Sequence, residues 1–159
     1  VEFAFVFFIF FVVLYGVLTY GLIFALQQSL NSAAENGARA ALKWAPDTPA
    51  RATNAESEAT SVTSWLVDLS HGDALKVVSC YQGGPSCKTD VCPALPAADD
   101  LEAGEITVAL CYHYNSEQGR LIPLIGPSSI VSLIVPAVLQ ASATANLQIA
   151  SQQPAATGE

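Results

Sequence analysis

FAFVFFIFFVVLYGVLTYGLIFAL, residues Phe3–Leu26, is an unbroken apolar run with no charged side chain inside it, and Glu2 stands at its threshold. As a helix, 24 residues extend about 36 Å, enough to cross a hydrocarbon core of about 30 Å with some tilt. The apolar part of a secretory leader is only about 7–15 residues long, so the run reads as a membrane anchor rather than a cleaved leader. A carboxylate at the centre of a spanning helix costs on the order of 2.5–3.5 kcal/mol. Glu2 therefore needs either a partner or a solvated interfacial position, where it would also complement the positive end of the helix dipole. The chain contains no methionine, so an upstream segment is expected before Val1.

Working outward, about 130 residues remain beyond the apolar run, enough for one modest core. The expected organisation is a helix over 1–26, a helix-plus-sheet head over 27–150 and a flexible tail over 151–159. The formal charge is −8, and the basic residues are Arg39, Lys43, Arg51, Lys76, Lys88 and Arg120. So few cations in an acidic chain argue against a nucleic-acid partner and predict a head that repels anionic surfaces. No Lys or Arg precedes the run, so the topology argument passes to the cysteines. Cys80, Cys87, Cys92 and Cys111 are even in number and lie beyond the anchor, which points to an oxidising, non-cytoplasmic compartment and two disulfides. A zinc site is the weaker reading: there is no Cys-x-x-Cys pair, and His71 and His113 lack ligand spacing.

Past Leu26 the helical period continues while the surface becomes polar. Leu26, Leu30, Ala33, Gly37, Ala41 and Trp44 fall on one face, with Gln27, Gln28, Asn31, Glu35, Arg39 and Lys43 between them. One helix is expected to run from the membrane into the head and to stop before Pro46. Thr48-Pro49 restarts a helix as N-cap and first position. In that helix Ala52, Ala55, Ala59, Val62, Leu66 and Leu69 form the seam of an antiparallel neighbour, and Gly72 closes it. Alternation then takes over. Leu75, Val77, Ser79 and Tyr81 share one strand face, Ile106, Val108, Leu110, Tyr112 and Tyr114 a second, and Ala141, Ala143, Ala145, Leu147 and Ile149 a third; these faces are expected to cover the helices. The fold class is α+β: a long stem helix and a second helix packed on a small antiparallel sheet.

Cys80 and Cys111 fall on the opposite face of the first two strands. Of the three possible pairings, phase favours Cys80 with Cys111, leaving Cys87 with Cys92 to close a small loop. The long loop from Tyr81 to Gly104 is expected to need its cysteines to hold shape. Asp99, Asp100, Glu102 and Glu105 at its end read as a solvated acidic loop, because the ordered ligands and glycine of a calcium loop are missing. Pro123, Pro127 and Pro136 bar a spanning helix from the apolar stretch 121–139 and leave room for a short helix from Pro127 to Val135. There is no nucleophile elbow, phosphate loop or zinc-protease motif, so neither an enzyme nor a cofactor is expected.

VEFAFVFFIFF, LQQSLNSAAENGARAALKW, EITVALCYHY and QASATANLQ, in that order, resemble segments of TadE/TadG-like proteins, pilin-like components of Tad (type IVb) pilus systems. Most specific are the Val1-Glu2-Phe3 start against the apolar helix and the block Ala34-Glu35-Asn36-Gly37-Ala38-Arg39. The resemblance implies a prepilin cut by a dedicated peptidase, anchored in the bacterial inner membrane with its head outside the cytoplasm. The subunit would then be passed by assembly machinery to other pilin subunits in an extracellular filament. It assigns Glu2 to subunit docking, with an N-terminal ammonium as its partner. The usual position of that glutamate is the fifth mature residue; here it is the second. Two functions follow: a filament subunit, major or minor, or a permanently anchored periplasmic assembly or envelope protein. Gly16 and Gly21 mark the expected weak point of the helix, each costing about 1 kcal/mol relative to Ala. In lipid the backbone has no other hydrogen-bond partners and stays helical, whereas packing in a filament would loosen it.

Overall fold

In the computed structural model the described residues are 2–70, 74–84, 87, 92, 95–96, 100–114, 116 and 136–147, without the side chain of Glu2. The apolar run and the amphipathic stretch after it form one helix, α1 (Glu2–Ala41), continuous through Gly16 and Gly21. The Thr19 hydroxyl donates to the Tyr15 carbonyl at 2.8 Å, which satisfies it within the helix. After Ala41 the chain tightens, with Leu42 N–H bonded to Arg39 O and Lys43 N–H to Ala40 O. The Arg51 guanidinium donates to the Ala41 and Lys43 carbonyls at 3.2 and 3.0 Å and so caps the helix end. The reversal places Trp44 beyond the helix and 85% exposed, which corrects its assignment to the buried face: that phase ends with the helix at Ala41.

The second helix, α2 (Thr48–Val62), is capped one residue earlier than expected. Asp47, in extended geometry, accepts the Ala50 N–H at 2.8 Å, and Pro49 sits in the first turn. The single long helix expected as far as Gly72 is divided. Thr63, fully buried, turns its hydroxyl back to Ala59 O at 2.8 Å, and a short helix α3 (Ser64–Leu69) follows. Ala52, Ala55, Ala59 and Leu66 are buried as the seam requires, but Leu69 is 56% exposed because the break at Thr63 re-aims the last turn. Gly72 lies outside the described residues.

Three strands, β1 (Leu75–Tyr81), β2 (Glu105–Tyr112) and β3 (Leu139–Asn146), form an antiparallel sheet in sequence order with β2 central. The register aligns Leu75, Val77, Ser79 and Tyr81 with Tyr112, Leu110, Val108 and Ile106, and aligns those β2 residues in turn with Leu139, Ala141, Ala143 and Ala145. This face packs on α1 and α2 around Leu26, Leu30, Ala33, Leu66 and Tyr114, as the alternation predicts. Ile149, the short helix from Pro127 to Val135 and the tail 151–159 lie outside the described residues.

The opposite sheet face carries a second apolar cluster of Cys80, Cys92, Leu95, Leu101, Ala109 and Cys111. The disulfides are Cys80–Cys87 and Cys92–Cys111, with Cα separations of 4.8 and 5.6 Å. The pairing read from phase is therefore wrong. Cys80 lies opposite Thr107 while Cys111 lies opposite Lys76, four residues or about 13 Å along the strand. A disulfide needs Cα atoms within about 7 Å. The actual bridges close the end of β1 and hold Cys92, with Leu95 and Leu101, against β2.

Candidate functional site: an uncovered apolar stem

The packing of α1 changes character along its length. From Phe3 to Leu14 every residue is exposed on all sides of the helix. Phe3 and Phe7 stack one turn apart with ring centres 6.3 Å from each other. From Thr19 onward a buried stripe appears at Thr19, Ile23, Leu26, Leu30, Ala33, Gly37 and Ala41, spaced by three and four so that it turns with the helix toward the head. Exposed apolar surface on this scale exceeds what a soluble monomer presents and marks a lipid-facing or subunit-facing surface. The stripe begins inside the apolar run, so residues 19–26 serve both as stem and as core of the head. Sequence reading placed the head after Leu26 and missed this overlap; the signal was available, since Thr19 and Ile23 continue the Leu26–Leu30 spacing backwards.

Glu2 is the first residue of α1, but its side chain, like His71 and Asp99, lies outside the described residues. Gly16 and Gly21 have nothing within 4 Å of where a Cβ would stand. They are open positions on the stem of the single chain. Gly37 is the reverse case. A Cβ there would come within 3.0 Å of the Ala55 carbonyl oxygen and 3.2 Å of Ala59 Cβ and Val108 Cγ1, so this glycine lets α1, α2 and β2 meet. The block from Ala34 to Arg39 thereby acquires a structural reason.

Two further contacts fix the head to the stem. Glu56 on α2 accepts from the Ser79 N–H at 2.8 Å and from the Ser79 hydroxyl at 2.6 Å. That N–H points away from β2, so the carboxylate covers part of the free edge of β1. On the other edge, Gln27 Nε2 donates to the Gln140 carbonyl at 2.8 Å. At the lower end of the head, burial pushes the Tyr112 phenol above its ordinary value near 10, opposed by a hydrogen bond with Ser70 and reinforced by Tyr114. Tyr114 is raised by burial and then by the neighbouring Tyr15, and its hydroxyl is buried without a hydrogen-bond partner. Among the described residues no cluster of three or more His, Cys, Asp or Glu could hold a metal ion. Glu105 of the acidic loop turns its carboxylate to the Glu102 N–H at 3.1 Å.

No curated protein and no solved structure gives a significant match to the chain. The family model of TadE-like proteins matches residues 1–39, the part that contains Glu2, the uncovered stem and the Ala34–Arg39 block. Over those residues the chain is similar to TadE-like proteins.

Proposed function

We propose that this chain is a non-enzymatic structural subunit, major or minor, of an extracellular Tad/type IVb-type pilus, held in the bacterial inner membrane by α1 until assembly. The observation that carries this reading is the uncovered apolar stem joined without a break to a disulfide-containing head. The TadE-like match over the stem ties it to Tad systems. A helix apolar on all sides suits both environments, lipid first and neighbouring stems later, because its exchange between them exposes little apolar surface to water. Glu2 is the docking group, paired with an N-terminal ammonium in the filament, and Gly16 and Gly21 are where the stem yields when packed.

The test combines the intact mass of the native protein with its presence in sheared filaments, for the natural chain and for Glu2→Ala and Glu2→Gln. Both variants are expected to remain in the membrane and to enter filaments severalfold less often. Normal incorporation of Glu2→Ala would remove the docking role. A processed or unprocessed chain that stays in the membrane fraction and never appears in filaments would instead establish the anchored assembly or envelope protein.

A further inference from the structure

The two free edges of the sheet are not alike. The edge of β1 is guarded at Ser79 by the Glu56 carboxylate. On β3, Gln27 takes up the Gln140 carbonyl from the outer side, which fixes the phase of that edge: the backbone N–H and C=O groups of Ser142 and Thr144, two and four residues on, face outward in the same way. Both residues are exposed, and among the described residues these outward groups have no hydrogen-bond partner. A strand edge left open is a template for another strand.

Beside this edge lies an open groove of about 240 Å³ between α1 and β3, lined by Glu35, Ala38, Arg39 and Leu42 from the helix and by Ala143, Thr144 and Ala145 from the strand. With Gln140 beside Gln27 and Ala143–Ala145 beside Glu35–Leu42, β3 runs along α1 in the same direction. Ala38, Leu42, Ala143 and Ala145 give the groove an apolar floor of mostly small side chains. Glu35 and Arg39 stand exposed on it. Although one turn apart they are not paired with each other, and the ion pair present among the described residues is Lys43–Glu58.

Glu35 and Arg39 are separated by about 6 Å of helix rise, and side chains on one face of a strand recur about every 6.7 Å. Two alternate side chains of an added strand therefore stand over both, and charge complementarity fixes their signs. A strand antiparallel to β3 runs down α1 and meets Arg39 before Glu35. We infer that the β3 edge takes up an extended segment of a partner protein by antiparallel strand addition, the segment carrying an acidic residue over Arg39 and, two positions later, a basic residue over Glu35. The residue between them lies opposite Thr144 and exchanges backbone hydrogen bonds with it. A second copy of this chain does not supply such a segment: the residues two positions before its Lys and Arg are Gly37, Ala41, Pro49, Ala74, Ser86 and Gln118, none of them acidic. Antiparallel pairing of β3 with β3 would also point the two stems in opposite directions.

The probes are two peptides of one composition, ATETKTA and ATKTETA, acetylated and amidated, titrated onto the full chain in detergent micelles with the amide resonances of Ser142 and Thr144 as the readout. Expected is saturation by ATETKTA at severalfold lower concentration than by ATKTETA. In the double variant Glu35→Arg with Arg39→Glu, both at exposed positions, the preference should reverse. N-methylation of the backbone nitrogen of the central threonine of ATETKTA, whose N–H faces the Thr144 carbonyl, should abolish binding, whereas the same change at the lysine, whose N–H faces away, should not. Equal binding of the two peptides, or binding of neither, would overturn the strand addition. Dimerisation of the chain that ATETKTA competes away would overturn the foreign partner and give the edge to a second copy.

Discussion

At the scale of single residues, two small groups decide how the head is held. Glu56 accepts both donors of Ser79, which is almost fully buried. Removing the carboxylate leaves a strand N–H and a hydroxyl without partners, a loss of about 1–3 kcal/mol. Glu56→Ala is expected to lower the denaturation midpoint in detergent micelles by that amount, and Glu56→Gln, which keeps an acceptor oxygen, by clearly less. Equal losses would show that the contact is not a hydrogen-bonded one. Gly37 works by absence. Ala there would add helix propensity of about 1 kcal/mol against a tight but small contact. Gly37→Leu has no such balance: it drives atoms into the Ala55 backbone and is expected to cost about 1–3 kcal/mol through overpacking. Thermal melts of the two variants should therefore diverge.

At the scale of elements, the disulfides give the sharpest check. Trypsin cleaves after Lys76, Lys88 and Arg120. The observed pairing then leaves two separate peptides, 77–88 and 89–120, each closed by its own bridge. Either other pairing would join them into one species in a non-reducing digest. Chain-entropy reasoning gives about 3 kcal/mol for the bridge spanning 19 residues and about 2 kcal/mol for the one spanning 7, so replacing Cys92 and Cys111 by Ala should hurt more than replacing Cys80 and Cys87. Phase in the sequence tells which side of a strand a residue occupies, and on that basis the three inward faces, their antiparallel pairing and the α1–α2 seam were all legible. It does not tell how far one strand is slid along the next. That offset is set by tertiary packing, and it is what separates Cys80 from Cys111. The break at Thr63 was hidden for a related reason: nothing in SVTSW forbids a helix, and only burial of the hydroxyl favours its turn. The stem was plain from its length, while the overlap of stem and head at residues 19–26 was masked because lipid-facing and core-facing residues share one composition.

At the scale of the whole molecule, helices, sheet and the second cluster around Cys92 and Leu95 form successive layers, with Tyr112 and Tyr114 at the lower end. Tyr112 and Tyr114 have their phenols raised by burial above the ordinary value near 10. Below that pH both folded and unfolded chains keep these protons, and the full stability is present. As pH rises past 10 the unfolded chain releases them first, so stability is lost up to the raised folded values. Melts in micelles between pH 8 and 11 are expected to show a falling midpoint above 10 and a shallower fall for Tyr114→Phe. That variant should also be at least as stable at neutral pH, since it deletes an unpartnered hydroxyl. The continuity of α1 has a geometric consequence. With 40 residues in one helix, about 60 Å long, stem and head of the unpacked single chain share a single axis and no swivel, and there the azimuth of the head is geared to the stem by residue count. One residue inserted between Leu18 and Thr19 would turn the loop-covered side about 100° and lift it about 1.5 Å, so the compass bearing of everything the head displays is written in the length of the rod beneath it.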